Sequence, residues 1–585
     1  MCRIYGHFNA VVAPHEMRTV AALQRHGGPD GQGNGQWAGC ALGSNRLAIM
    51  DPAGDQPPYE AGAVKVVFNG EIYNHEALRH RLRAKGYTFS DRCDGSILPA
   101  LYLEYGDSFP EHIDGMFAVV VLDLRAEPRM VVATDHAGMK PLFYRWDAER
   151  RSLHFSSEIG ALLAFGAVPR DVWTPGLDAY LATKTPFGEQ TMFTGIKVMP
   201  PAATAVCDLT GMRTWIRPAS AESGEDIRVA LGDEVQKLLI ADVPVATITS
   251  GGLDSGLVTE FAAQVEPDLH TFNIAYRGTW PHDERHFARQ VADATRAHYH
   301  QIEIDPATFP KLLSDVVWHL GQPNADPITL STYALFRGVR DAGFTVALTG
   351  DAADELFGGY DRMREAANGG ARWQTRYLDA LAVLPSAQRH ALYTREYAHE
   401  LPPPLPDAAM AILNGSGSVL RRITEFELRY RLPAYHLRRV DHLSMASGVE
   451  ARLPFCQRRI VGIGRALPDE RRISAGNVKR ALYAAARGLL PPAVLNRPKQ
   501  PFTLPIAAML RPGTALWEFA RDMLAPSRLL HTGQIAPDRV QALFSGQAAD
   551  PDPVTALTLW ALLVYEVWRD QFSVRTRSLA EMAAA

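Results

Sequence analysis

Three short stretches of this chain carry side chains that could do chemistry. "MCRIYGHFNA" puts Cys2 directly behind the initiator methionine, so removal of Met1 gives Cys2 a free α-amine beside its thiol. Such an amine, of reference pKa ~7.7–8.0, is a built-in base for a sulfur nucleophile. "TITSGGLDSGLVTEF" runs a strand pattern into Ser250-Gly251-Gly252 and then into a helix pattern from about Asp254. The glycines admit positive φ and a close anion, and the helix start adds free N–H groups and partial positive charge. Ser250 and Ser255 can donate hydroxyls, and Asp254 in an anion site implies a bridging Mg²⁺. The spacing is neither a Walker A loop nor GxGxxG. "VALTGDAADELFGGYDR" ends a strand pattern in Thr349-Gly350 and follows with Asp351, Asp354 and Glu355. Carboxylates crowded at the carboxyl end of a parallel strand need something positive, and that edge is where α/β sheets bind ligands. Singly, these stretches also read as an unremarkable cysteine, a capped turn and a capping cluster. Together, the last two favour a nucleotide–magnesium site.

The surrounding pattern supplies elements to position them. The first ~200 residues are strand-rich: "AVKVVFNGEIYN", "GMFAVVVLDL", "RMVVATD", "SLHFSSE" and "TAVCDL" are short apolar runs broken by turn residues. One helix is expected at "NHEALRHRLRAKG", with Gly86 as its cap. From about Glu225 helices alternate with short buried strands: "DIRVALGDEVQKLLIAD", "VPVATITSGG", "SGLVTEFAAQV", "HTFNIAY", "DERHFARQVADAT", "HYHQIEI" and "FTVALTGD". That alternation predicts a parallel sheet covered on both faces. The last ~200 residues are expected to be mainly helical. The division is drawn as 1–210 and 211–585.

At 585 residues the chain exceeds one core. A net charge of −4 and the lack of a basic run exclude a nucleic-acid surface. Five scattered cysteines without a CxxC pair argue against zinc knuckles and a disulfide framework, which fits a reducing cytoplasm. The apolar runs are strand-length, too short for a membrane span. A soluble, cytoplasmic protein is expected.

The chain resembles glutamine-hydrolysing asparagine synthetases, with a class II glutamine amidotransferase part in front. The motifs that carry the resemblance run in order from Cys2 to about Phe502: "MCRIYGHF", "RHGGPDG", "NRLAIMD", "FNGEIYNH", "DGMFAVVVLD", "DHAGMKPLFY", "FSSEIGAL", "SGGLDS", "TGDAADELFGGY", "DHLSMASGVEARLPF", "NVKRAL" and "NRPKQPF". The resemblance implies an α/β protein: an Ntn-hydrolase αββα sandwich, then a doubly wound parallel-sheet PP-loop domain with a mainly helical C-terminal part. It implies that the Cys2 thiolate attacks glutamine, with the Asn69 side chain and Gly70 N–H as oxyanion hole. Glutamine would lie against Arg46, Leu47, Ala48, Ile49, Met50, Glu71 and Asp94, with Arg46 facing its carboxylate and Asp94 its ammonium. ATP would contact Thr249, Ser250, Gly251, Gly252, Asp254, Ser255, Ile274, Thr349, Gly350 and Lys499. Asp254 and Asp354 would hold Mg²⁺. Asp351 stands at the position of an acidic residue needed to form the intermediate, and Lys479 would approach the phosphates or the developing oxyanion. Glu450 and Arg452 would order this site or form a structural ion pair. The implied reaction adenylates a carboxylate, releases pyrophosphate, and displaces AMP with ammonia delivered through an internal passage.

Several residues depart from the family pattern. Arg3 stands where Gly is usual, Gly27 replaces an arginine, and Ser96 replaces a common acidic residue. Ala352 and Ala353 stand where Gly is frequent. Aspartate is the first expectation for the acceptor; a specialised carboxylic acid is the alternative, and a non-catalytic relative is the alternative of another class. Expected partners are glutamine, ATP and the acceptor, without nucleic acid or membrane, and with homodimer formation left open.

Overall fold

The computed structural model describes residues 2–54, 56–280, 284–399, 401–474, 476–497 and 504–584, with side chains to residue 572. The first half is built on β1 (Cys2–Phe8), β2 (Gly31–Trp37), β3 (Cys40–Arg46), β4 (Tyr59–Ala61), β5 (Val64–Ile72) and β6 (Gly115–Asp123). It continues with β7 (Arg129–Thr134), β8 (Phe143–Asp147), β9 (Ser152–Ser156), β10 (Lys197–Val198), β11 (Ala203–Asp208) and β12 (Gly211–Ile216). These form two six-stranded sheets, β10-β8-β9-β1-β3-β2 and β12-β11-β7-β6-β5-β4.

Alternation along the strands explains the layers. On β5, Val64, Val66 and Phe68 pack outward under the helices His75–Ala84 and Leu98–Tyr105. Val67 turns inward, where it meets Ile4, Leu42, Val120 and Leu122 from both sheets. On β1, Cys2 and Ile4 face this inner layer, while Tyr5 faces the opposite core with residues of Pro14–Leu23 and Ile159–Leu162. The result is the expected αββα sandwich. Its second sheet extends through β12, past the division drawn after residue 210.

The second half contains a five-stranded parallel sheet of β13 (Val245–Ile248), β14 (His270–Tyr276), β15 (His298–Ile304), β16 (Val346–Leu348) and β17 (Glu450–Arg452). Its order is β15-β14-β13-β16-β17. The chain therefore steps outward from β13 to β14 and β15, then returns to the other side for β16. That reversal leaves a crevice at the carboxyl ends of β13 and β16, where doubly wound sheets bind ligands. Helices Leu253–Ala263, Arg285–Thr295 and Thr329–Asp341 make the crossovers. β17 lies in the stretch expected to be helical. It is a short strand whose Ala451 pairs with Ala347, and its charged ends are buried rather than exposed.

A buried ion cluster joins the halves. Arg3 is fully buried; its Nε contacts Glu158 Oε1 at 2.9 Å and its Nη1 donates to Asp441 Oδ2 at 2.7 Å. Lys140 Nζ reaches the other Asp441 oxygen at 2.9 Å. The departures at 3 and 27 are spatially linked: a Cβ on Gly27 would lie 2.8 Å from Arg3 Cγ and Nε. Burial alone would raise the Asp441 carboxyl, but Lys140 and Arg3 hold it down to about 2. Its contribution to stability is present above the ordinary carboxylate range and disappears as pH falls through about 2. Removing one member leaves buried charge unanswered. Asp441→Asn should cost about 3–5 kcal/mol, read as a lower midpoint of chemical unfolding at neutral pH, with a flatter acid limb; a wild-type midpoint would refute the cluster's role.

Candidate functional site

The first group of site residues lies at one end of the sandwich. The Cys2 backbone N–H donates to Asn69 Oδ1 at 3.2 Å, tying β1 of one sheet to β5 of the other. This turns the Asn69 amide so that its buried Nδ2 has no hydrogen-bond partner. A free amide donor beside a buried thiol is the chemistry an oxyanion requires. Gly70 follows at φ +152°, and a Cβ there would fall 2.0 Å from the Met116 carbonyl oxygen, so β6 admits only glycine.

Arg46 lies directly opposite Cys2 in the β1–β3 register. Its guanidinium donates to the carbonyls of Met50 (2.9 Å), Asp51 (2.7 Å) and Gly54 (3.1 Å), and to the Cys93 sulfur at 3.1 Å. It clasps the 50–54 loop. Leu47 and Ile49 are buried beneath the loop, and Ala48 N–H is fixed by Asp30 at 2.9 Å. The Asp51 N–H donates to Asp242 of the second half at 2.7 Å. Asp94 accepts from the Ile72 N–H at 2.9 Å and is buried with Glu71. Burial raises both carboxyls, and Asp94 raises Glu71 further against the pull of Arg452. Two buried carboxyls this close favour a cationic guest.

The second group surrounds the crevice. Gly251 has φ +73°, and a Cβ there would meet Ala288 N at 2.4 Å. Gly252 caps Leu253–Ala263, and Ser250 and Ser255 share a hydrogen bond of 3.0 Å between hydroxyls. The second loop packs backbone to backbone on the first, since a Cβ on Gly350 would lie 2.8 Å from Ser255 N. Lys479 enters between the loops: its ammonium is 2.5 Å from Asp254 Oδ2 and 2.6 Å from Asp354 Oδ1. Burial opposes this charge, but the two carboxylates raise the lysine above its ordinary range. Gly359 lets the trio close, because its Cβ would strike Asp354 and Lys479 Cε. Lys479 itself adopts φ +49°, left-handed strain concentrated at the site.

The crevice opens into a cavity of about 590 Å³ lined by Thr249, Ser250, Gly252, Asp254, Ser255, Ile274, Thr349, Gly350, Asp351, Asp354 and Lys479 among others. The structure therefore brings the second-half expectations together. Gly251 sits behind the lining, and Lys499 lies outside the described residues. Asp351 accepts from Thr349 Oγ1 at 2.7 Å and faces Arg439 at 3.5 Å. Glu450 and Arg452 are an ion pair of 2.6 Å, both fully buried, and Arg452 reaches Glu71 of the first half at 3.5 Å. They link the two sites rather than line the cavity.

Sequence reasoning missed Arg362, Arg431, Arg439 and Arg497, which also line the cavity. Arg497 stood within the quoted "NRPKQPF"; it pairs with Glu284 at 3.1 Å beside Gly252. Arg362 closes the quoted "VALTGDAADELFGGYDR", at the start of the short helix Asp361–Ala367, while Arg431 and Arg439 lie in the helical stretch, where no local signal marked them.

A sandwich that presents a buried thiol and a free amide donor, joined to a parallel sheet with paired glycine and aspartate loops, defines an amidase coupled to a nucleotide-using ligase. The comparisons agree. The asparagine synthase family model matches residues 226–570, and the glutamine amidotransferase domain model matches residues 1–215. The chain belongs to the asparagine synthase family. It is 26% identical to asparagine synthetase [glutamine-hydrolyzing] 1 of Bacillus subtilis, over 97% of this chain and 96% of that one. It is 28% identical to asparagine synthetase [glutamine-hydrolyzing] 3 of the same organism, over 79% of each. It is 31% identical to asparagine synthetase [glutamine-hydrolyzing] of Zea mays, over 59% of this chain and 57% of the relative.

Two predictions follow from the second loop. Ala352 adopts φ +79°, a conformation that costs an L-residue ~1–2 kcal/mol. Glycine relieves that strain but adds chain entropy, so Ala352→Gly should stabilise by up to about 1 kcal/mol; a lower unfolding midpoint would contradict this. Glu355 is raised to about 7 by burial, then by Glu427 and Asp354. The folded state thus holds a proton between about 4.5 and 7 that the unfolded chain releases, and stability falls as pH rises through that window. Glu355→Gln should flatten this fall and gain relative to wild type above neutrality; parallel stability–pH curves would sink the assignment.

Proposed function

We propose that the chain hydrolyses glutamine at Cys2 and spends the ammonia on an adenylated carboxylate, with aspartate as acceptor. In this reading residues 1–210 are the glutaminase and 211–585 the ATP pyrophosphatase domain. The single observation that carries it is the pairing of the SGGLDS and TGDAADE loops around Lys479, at the switch point of a parallel sheet.

The chain's own groups account for the roles. After removal of Met1, the Cys2 amine takes the thiol proton as sulfur attacks the glutamine amide carbon. Asn69 Nδ2 and the Gly70 N–H receive the oxyanion of the tetrahedral intermediate; its collapse breaks the C–N bond, the Cys2 ammonium returns its proton to the departing ammonia, and the thioester left behind is cleaved by water. Asp94 and Glu71 hold the glutamine ammonium; Arg46 turns to its carboxylate.

In the crevice, Ser250, Gly251, Gly252 and Ser255 cradle the phosphates at the start of Leu253–Ala263, while Thr249, Ile274, Thr349 and Gly350 flank the nucleoside. Asp254 and Asp354 suit Mg²⁺: both are hard oxygen donors, and one ammonium already spans them at 2.5 and 2.6 Å. The ion, when held there, would neutralise phosphate charge. Lys479 then turns its ammonium from the carboxylates to the phosphates, with Lys499 expected beside it. Arg362, Arg431 and Arg439 supply cations for an acceptor carboxylate, and Asp351 an anion for its ammonium.

A second reading replaces aspartate with a larger acid. Tyr360 and Tyr435 stand in the cavity wall with Arg362 and Arg431 at 3.6 and 4.1 Å from their rings, planar surfaces suited to a planar acceptor.

Pyrophosphate release with ATP, Mg²⁺ and glutamine should depend on aspartate and yield asparagine; release that aspartate fails to stimulate moves the assignment to the second reading. Cys2→Ala should lose glutamine-dependent product and keep activity with ammonium salt. Equal loss with both nitrogen donors would overturn the two-site scheme.

A further inference from the structure

The amino ends of β14 and β15 carry a group of side chains for which the amidation reaction has no use. Asp268, His270 and His298 place a carboxylate oxygen and two ring nitrogens within 4.8 Å of one another. The grouping follows from sheet geometry. His270 and His298 are direct partners in the parallel register, so both side chains leave the same face of adjacent strands. Asp268 stands two residues before His270. His298 Nε2 already lies 2.9 Å from an Asp268 oxygen.

A fourth residue gives the grouping direction. His300 is on the same face of β15, and its Nε2 lies 2.8 Å from His270 Nδ1. It is held by stacking on Phe272, ring centroids 4.5 Å apart at 13°. The bond occupies His270 Nδ1 and leaves Nε2 for another partner. An imidazole fixed through one nitrogen and offering the other is how metal-ligating histidines are supported.

We propose that Asp268, His270 and His298 form a site for a first-row divalent cation, zinc by chemistry, with His300 as the positioning residue behind His270. Two imidazoles and one carboxylate, with water in the remaining position, are a zinc donor set, and imidazole prefers zinc to magnesium. The ion would bolt β15, the edge strand, to β14 at their amino ends. It would be remote from nucleotide chemistry: Ile274, which lines the cavity, lies four residues further along β14, on the order of 13 Å away.

A second grouping, His26, Glu158 and His319, has similar spacing but a different character. Arg3 Nε lies 2.9 Å from its carboxylate and already supplies the positive charge.

The test uses the untagged full chain, stripped of metal and held in excess Mg²⁺ so that hard oxygen sites are filled. Zn²⁺ binding is measured by equilibrium dialysis with elemental analysis. Wild type should bind one more Zn²⁺ per chain than His298→Ala and than Asp268→Asn. His300→Phe, which keeps the stacking surface, should weaken that equivalent about 10–100-fold without changing its number. Both His298→Ala and Asp268→Asn should release pyrophosphate at the wild-type rate, which also reports that they fold. Should one variant fail to fold, the other decides. Zinc bound with the same number and affinity by wild type and the folded variant, including none by either, overturns the site.

Discussion

The fully buried arginine next to Cys2 is the constraint from which much of this architecture follows. Strand alternation sends Cys2 into the sandwich and Arg3 out of it, toward the second half. A guanidinium without water must be answered by anions, and Glu158 and Asp441 answer it from two different parts of the chain. Asp441 lies on the helix Arg438–Met445. Two residues earlier on the same helix, Arg439 pairs with Asp326 and Asp351 at the crevice of the second half. One rigid element thus carries opposite charges to the two candidate sites. β1 cannot shift without moving an ion pair on that helix, because leaving either partner alone costs more than the pair itself gains.

The same economy of space shapes both sites. Gly27 is bare where Arg3 needs room, Gly70 where β6 passes, Gly350 where one loop lies on the other, and Gly359 where Lys479 meets Asp354. At each position a single methyl group would strike backbone or a charged atom. Backbone-to-backbone approach is what converts two loops distant in sequence into one crevice. The price appears at Ala352 and Lys479, which hold left-handed conformations with side chains attached.

Much of this was legible in the sequence, for identifiable reasons. The strands β14 and β15 match "HTFNIAY" and "HYHQIEI" residue for residue: Phe272, Ile274 and Tyr276 alternate along the first, and Ile302 and Ile304 along the second, which Asp305-Pro306 then ends. β2, "GQGNGQW", gave no apolar period; it is an edge strand whose pairing with β3 fixes it. β17 was invisible because three residues with charged ends do not look like a buried strand; Arg452 survives there by donating to Glu450 and to the Leu238 and Ile240 carbonyls. That the two loops of the crevice meet was legible because their glycines, hydroxyls and carboxylates stand at the ends of strand patterns in one sheet. Arg431 and Arg439 were not, since they join Arg362, the end of a quoted stretch, in one wall only when separate helices pack.

That asymmetry bears on what the protein amidates. The loop residues of the crevice lie on contiguous motifs, whereas the arginines of its wall come from discontinuous helices. Arg362 and Arg431 both lean on buried Glu427, at 2.8 and 3.3 Å, so their charges are partly spent before any substrate arrives. Arg431 nevertheless keeps its buried Nη1 without a hydrogen-bond partner. Arg439 is divided between Asp326 and Asp351. Arg362 Nε and Arg439 Nε are likewise buried without a hydrogen-bond partner, so each of the three guanidiniums keeps a donor that its own ion pairs do not use.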